Sequence, residues 1–313
     1  MKLFRMLFFT CMTAYPAYLA ADAETEKILD LWDFNDPKST EMLFVSLTDE
    51  AASSTNKEYA PILLSQIART YSLRGNFDTA HKILNEAKEM LTGDDNASLA
   101  FYYIERGRTL NSAGDKPAAL KYFKQGFLTA EIIKDDYLAV DAAHMMAIAE
   151  ALGEQMKWNL IALSIAESSK SVRARDWRGT LYNNMGWTFF DQERYGEALT
   201  LFEKGVDFRR EKDQARRLLI ARWAVARTYR ALDRLDEALE VQLDLLRERS
   251  AKGLPDDGYV IEELAELYYL KGSPRASEYF AKAYRLLSRD EWLVANDSER
   301  LERLKSLSVR ESR

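Results

Sequence analysis

The chain has 313 residues, 47% hydrophobic and 30% charged, a balance that suits a soluble protein with a long buried core and argues against extended disorder. Lys and Arg total 44 against 50 Asp and Glu, with no basic stripe of the kind that reads nucleic acid. One cysteine, Cys11, and two histidines, His81 and His144, exclude a Cys/His zinc site and a disulfide framework by number alone.

At the N-terminus, Lys2 and Arg5 precede an apolar run from Met6 to about Ala14, followed by Pro16 and the triplet Ala21-Asp22-Ala23. This three-part form predicts a secretory signal over residues 1–23, cut after Ala23 and carrying Cys11 away with it. The run is too short for a mature anchor, which needs about 20 apolar residues, so no stable membrane insertion is expected after cleavage. Export would be to the periplasm in a bacterium and to the exterior otherwise.

Residues 24–57 read as N-terminal capping helices. Asp36-Pro37 starts one of them, with Met42, Leu43 and Leu47 on one side and Ile28, Leu31 and Trp32 before it. From residue 58 to residue 290 the chain repeats. Small residues recur at Ala68, Gly107, Ala147, Gly186, Ala226 and Ala265, spaced by 39 or 40. A bulky residue follows three later at Tyr71, Leu110, Phe189, Tyr229 and Tyr268. Twelve after the small residue stands an alanine, Ala80, Ala119, Ala198 or Ala238, and the last copy reaches Ala276 after eleven. Four further on lie Leu84, Phe123, Phe202 and Phe280.

The pattern describes pairs of antiparallel helices. Close approach requires a minimal side chain at the crossing, and a large residue one turn away fills the groove. Gly186 and Ala198 are expected to form such a crossing, which offsets the roughly 1 kcal/mol that glycine costs inside a helix. Gly75, Gly114 and Gly272 fall seven after the small position, where a first helix must end at positive φ. Asp78, Asp115 and Lys116-Pro117 then start the second helices. The third copy departs, with Glu150 and Asn159 at the bulky and alanine positions, but Ala147, Leu163 and Ala166 keep the period. Residues 92–98, TGDDNAS, lack the spacing of a calcium loop and read as a solvated turn. Residues 291–313 form a last cap, with Leu301, Leu304 and Leu307 on one face.

These motifs resemble the tetratricopeptide repeat family, whose pattern is W-x2-L-G-x2-Y followed by A-x3-F. The match is Tyr182-x2-Met185-Gly186-x2-Phe189 with Ala198-x3-Phe202, and Leu64-x2-Ile67-Ala68-x2-Tyr71 with Ala80-x3-Leu84. About six copies between residues 59 and 290 carry it. The resemblance implies an all-α fold, an α-solenoid of stacked helix pairs forming a superhelix. The usual repeat is 34 residues, so the surplus predicts longer helices and looser links. The phrases LWDFNDP and WLVAND in the ends are also similar to bacterial tetratricopeptide proteins without an assigned activity.

In such stacks the first helix of each pair lines a groove, through positions three before and one after the small residue. These are Ser65 and Arg69, Ile104 and Arg108, His144 and Ile148, Asn183 and Trp187, Trp223 and Arg227, and Glu262 and Glu266. Arg69, Arg108, Asn183, Trp187, Trp223 and Arg227 are the candidate ligand-binding set, because guanidinium groups bind carboxylates bidentately and tryptophans pack on side chains. The alternatives are that the arginines pair with acids of the adjacent repeat and the tryptophans pack between helices. The family's carboxylate clamp does not transfer, since Ile220 and Ala224 stand where its basic residues belong. No phosphate loop, nucleophile elbow, metal set or catalytic histidine constellation is present, and isolated His144 reads as structural. The sequence therefore points to a non-enzymatic scaffold, without cofactor or metal, binding a protein or peptide partner. A small-molecule sensor using the Trp187, Trp223 and Arg227 region is the alternative.

Overall fold

The computed structural model describes residues 23–93 and 96–309. The segment read as an export signal lies outside the described residues apart from Ala23, as do Cys11 and the Asp94-Asp95 pair. Every regular element described is a helix. None of those helices is long and apolar enough to cross a membrane. The chain divides into two compact units, one ending at Trp177 and the other beginning at Arg178.

In the first unit, α1 (residues 23–30), α2 (Pro37–Val45) and α3 (Thr48–Ser53) precede three helix pairs. The pairs are α4 (Tyr59–Leu73) with α5 (Phe77–Glu89), α6 (Ala97–Ser112) with α7 (Lys116–Ile133), and α8 (Asp136–Ala149) with α9 (Leu152–Ser168). A short α10 (Val172–Asp176) occupies the surplus after the third copy. Gly75 and Gly114 take φ of 74° and 94°, as the turns demand. The second helices are capped by Asn76, whose side chain accepts from the Thr79 amide, and Asp115, which accepts from Ala118. Within the second pair, a methyl group on Gly107 would lie 2.5 Å from the Phe123 ring. Ala147, Leu163 and Ala166 are buried, so the irregular third copy keeps the same seam.

The expected packing face of α2 is wrong. Met42 and Leu43 are exposed, while Thr40, Glu41 and Phe44 face inward. Glu41 tolerates burial because three groups meet it there: Arg74 pairs with it, and Tyr71 Oη and Lys38 Nζ donate to it at 3.1 and 3.0 Å.

In the second unit the pairs are α11 (Arg178–Asp191) with α12 (Tyr195–Glu211), α13 (Ala215–Ala231) with α14 (Leu235–Ala251), and α15 (Gly258–Leu270) with α16 (Ala276–Leu287). α17 (Glu291–Asn296) and α18 (Ser298–Ser308) follow, with Leu301 and Leu304 buried. A methyl group on Gly186 would lie 2.5 Å from the Phe202 ring. The residue that fills the space is thus the bulky one, a turn beyond Ala198. Burying rings such as Phe202 and Phe280 contributes on the order of 1.5–3 kcal/mol each, more than glycine costs. The turn after the first helix is left-handed here too, at Glu193 (φ 59°), Asp233 (φ 59°) and Gly272 (φ 64°).

Candidate functional site

The first-helix face of the first unit is occupied by its own charges. Arg69 and Arg108 both pair with Glu105, and Arg108 pairs with Asp141 on the next first helix. Gln66 Nε2 donates to Glu105 at 3.3 Å and receives the Trp32 indole N–H on its oxygen at 2.8 Å. Burial works against the Arg108 charge, but Asp141 and Glu105 outweigh it and hold its pKa above the ordinary arginine range. Arg69 is held below that range by burial, with Arg108 beside it. Arg69 also lies over the stacked rings of Trp32 and Phe34, at 5.2 and 4.9 Å. His144 is buried 5.0 Å from the Trp177 ring, its Nδ1 without a partner, and burial pushes its pKa down to about 4.

In the second unit, Trp187, Trp223 and Arg227 come together. The indole rings are 6.0 Å apart, and the Arg227 guanidinium lies 5.4 Å from Trp223 and 6.0 Å from Trp187. Trp187 also packs on Phe202 at 4.9 Å, and Arg227 pairs with Glu263 at 3.2 Å. Arg230 donates to both oxygens of the same carboxylate, at 2.7 and 3.0 Å. Further along, Arg300 and Arg303 of α18 bind Glu262 and Glu266 through two nitrogens each, closing the face at the sixth copy.

The open part lies around the first half of α13. A pocket of about 190 Å³ is lined by Thr180, Asn183, Arg217 and Ile220 among others. A second, of about 420 Å³, is lined by Ile220, Trp223, Leu245, Arg249, Tyr259 and neighbours. Ile220, 56% exposed, borders both. Two sequence candidates, Asn183 and Trp223, therefore flank one ridge. Trp223 is fixed by its indole N–H, which donates to the Tyr259 carbonyl at 3.2 Å.

α13 carries five arginines and no acid. Arg222 pairs with Glu248, and Arg227 and Arg230 pair with Glu263. Arg217 is exposed at the smaller pocket and has no partner among the described residues. Sequence reasoning missed Arg217 and Tyr259. For Tyr259 the signal was available, because it lies six before Ala265, one further turn along the same face, whereas Arg217 lies outside that register.

A tetratricopeptide repeat family model matches residues 178–212, the α11–α12 pair. The α11–α12 pair is thus a tetratricopeptide repeat by sequence, and the chain as a whole shares the fold of tetratricopeptide-repeat proteins. Its fold is shared by a Pyrococcus horikoshii signal transduction ATPase with numerous domains that carries a tetratricopeptide repeat sensor. That likeness has a TM-score of 0.69 at 18% identity and covers 94% of this chain and 45% of the other, so the present chain spans less than half of that protein. The apo form of RapI matches at TM-score 0.68 and 13% identity, over 92% of this chain and 85% of RapI. NprR, solved in complex with its cognate peptide NprX, matches at TM-score 0.52 and 15% identity, over 92% and 82%. No curated protein matches the chain in sequence. Among the described residues no group of three or more His, Cys, Asp or Glu is placed to hold a metal ion.

Proposed function

We propose that this tetratricopeptide-repeat chain is a non-enzymatic scaffold that binds an extended peptide or protein segment along α13 of the second unit. The observation that carries this reading is the pair of pockets meeting at Ile220, with the uncommitted Arg217 beside one and Trp223 walling the other. An apolar side chain of the segment enters the larger pocket, and a carboxylate meets Arg217 and Asn183. The peptide complex of NprR, a protein of the same fold, supports this class of ligand. Arg69, Arg108 and Arg227 serve the frame, since their charges are already matched.

Selection of random peptides displayed on phage tests the reading. Enrichment on the wild-type chain that disappears with Trp223→Ala/Ile220→Asp is the expected result. Enrichment that survives those changes would move binding away from α13. A small-molecule sensor is the second reading, favoured by the size and apolar lining of the 420 Å³ pocket. Its test is a shift of tryptophan emission on adding a metabolite mixture.

We also propose that the chain is exported, on the strength of residues 1–23. N-terminal sequencing of the protein recovered from the exported fraction should begin at Glu24, and recovery of an uncut chain from the cytoplasm would refute export.

A further inference from the structure

α1 is tied to both ends of the three-copy stack of the first unit. At one end, Glu24 receives hydrogen bonds from Ser54 Oγ and Asn56 Nδ2, each 2.8 Å, and Lys27 Nζ meets Glu50 at 2.8 Å. At the other end, Arg173 of α10 donates to Glu26 at 2.6 Å and pairs with Asp30, partners more than 140 residues away in sequence. Between these ties Ile28 is fully buried. Just beyond α1, Trp32 donates to Gln66 and stacks on Phe34 beneath Arg69, both Gln66 and Arg69 belonging to the first-helix face.

We propose that the seat made by α3, the loop after it and α10, continued by Gln66 and Arg69 of the first-helix face, is a helix-binding site, filled in cis by the chain's own residues 24–34 and able to release them. The class of partner it fits is an acidic amphipathic helix followed closely by a Trp-x-Phe pair, because those are the groups it now holds. The balance of contacts is that of a releasable occupant. Ile28 is the one side chain of residues 23–34 in the fully buried class, and Phe34 is 53% exposed. The rim is held by ion pairs in which Glu26 and Asp30 are 53% and 73% exposed, and such pairs contribute little each and are screened by salt. The receiving side supplies the matching cations, Arg173 at the rim and Arg69 over the rings. The α13 groove plays no part in this inference, which stands or falls independently of it.

The test combines hydrogen exchange with binding of a fluorescein-labelled synthetic peptide of residues 24–35. In Arg173→Glu, amides of residues 24–34 should exchange about tenfold faster than in wild type. The Arg173→Glu/Glu26→Arg/Asp30→Arg chain should restore the slow rate. The labelled peptide, which keeps Glu26 and Asp30, should bind saturably to Glu26→Lys/Asp30→Lys, whose Arg173 is intact, and to wild type at least about tenfold more weakly, because there the site is filled. Should Arg173→Glu fail to fold, Glu26→Lys/Asp30→Lys changes two exposed side chains on the strap itself and its exchange is read the same way. Unchanged exchange, equal peptide affinity for both chains, or peptide binding abolished by Trp223→Ala would each overturn the proposal.

Discussion

Gly186 is closed against the ring of Phe202, so that no β-carbon fits between α11 and α12 at that point. Gly186→Ala should therefore destabilise the second unit by about 1–2 kcal/mol, because overpacking outweighs the roughly 1 kcal/mol of helix propensity gained. Urea denaturation measures this. Gly186→Ala/Phe202→Leu should recover part of the loss, since Ala68 and Leu84 occupy the same two positions in the first copy. A Gly186→Ala chain more stable than wild type would show that the ring can move aside.

At the register of Phe202 and Phe280 the fifth copy has Gln242, fully buried, with neither side-chain amide atom hydrogen-bonded. An unsatisfied buried amide costs about 1–3 kcal/mol. Gln242→Leu should raise the denaturation midpoint, with a gain of about 1–2 kcal/mol. A loss on making this change would mean that the amide is serving a partner.

His144 is buried in the neutral form, beside Asp141, Arg108 and Arg69. Its folded pKa of about 4 lies below the ordinary value of 6.5, so the unfolded chain takes up the proton first as pH falls. The neutral ring's contribution is fully present above about pH 6.5 and is lost progressively down to about pH 4, on the order of 2–3 kcal/mol. In thermal melts between pH 7 and 4, wild type should lose stability relative to His144→Leu as pH falls. Parallel curves would exclude His144 as the titrating group.

Arg108 holds two buried carboxylates at once. Arg108→Met should cost about 3–5 kcal/mol, because Asp141 is left without its ion-pair partner and Glu105 keeps only Arg69 and the Gln66 amide. Adding Asp141→Asn should return part of this, and the coupling read from the double-mutant cycle should exceed about 1 kcal/mol. Simple additivity would mean the pair does not interact.

Much of the frame was legible because packing imposes it at a fixed period. Gly186, Ala198 and Phe202 announce a helix pair wherever they recur, and Gly75, Gly114 and Gly272 mark its turn by the one conformation that favours glycine. Glu193 and Asp233 hold the same left-handed turns unannounced, since glutamate has no preference for positive φ and aspartate a far weaker one than glycine. What stayed hidden depends on partners in other elements. Glu41 looks like a solvent residue until Arg74 and Tyr71 are brought to it, and that inverted the expected face of α2. Arg69, Arg108 and Arg227 share a register whether they face a ligand or a neighbour. Only the carboxylates of Glu105, Asp141 and Glu263 across the seam distinguish the two cases. Arg217 lies outside that register and emerges as the uncommitted cation once its fellows on α13 are matched.

The most direct measurement is hydrogen exchange of the chain with and without a peptide enriched on it by display. The account predicts protection of the first half of α13, residues 216–223, where the two pockets meet, and of the segments that flank it, residues 179–183 of α11 and 257–260 at the start of α15. Protection on the second helices α12 and α14 instead, with those segments unchanged, would contradict it.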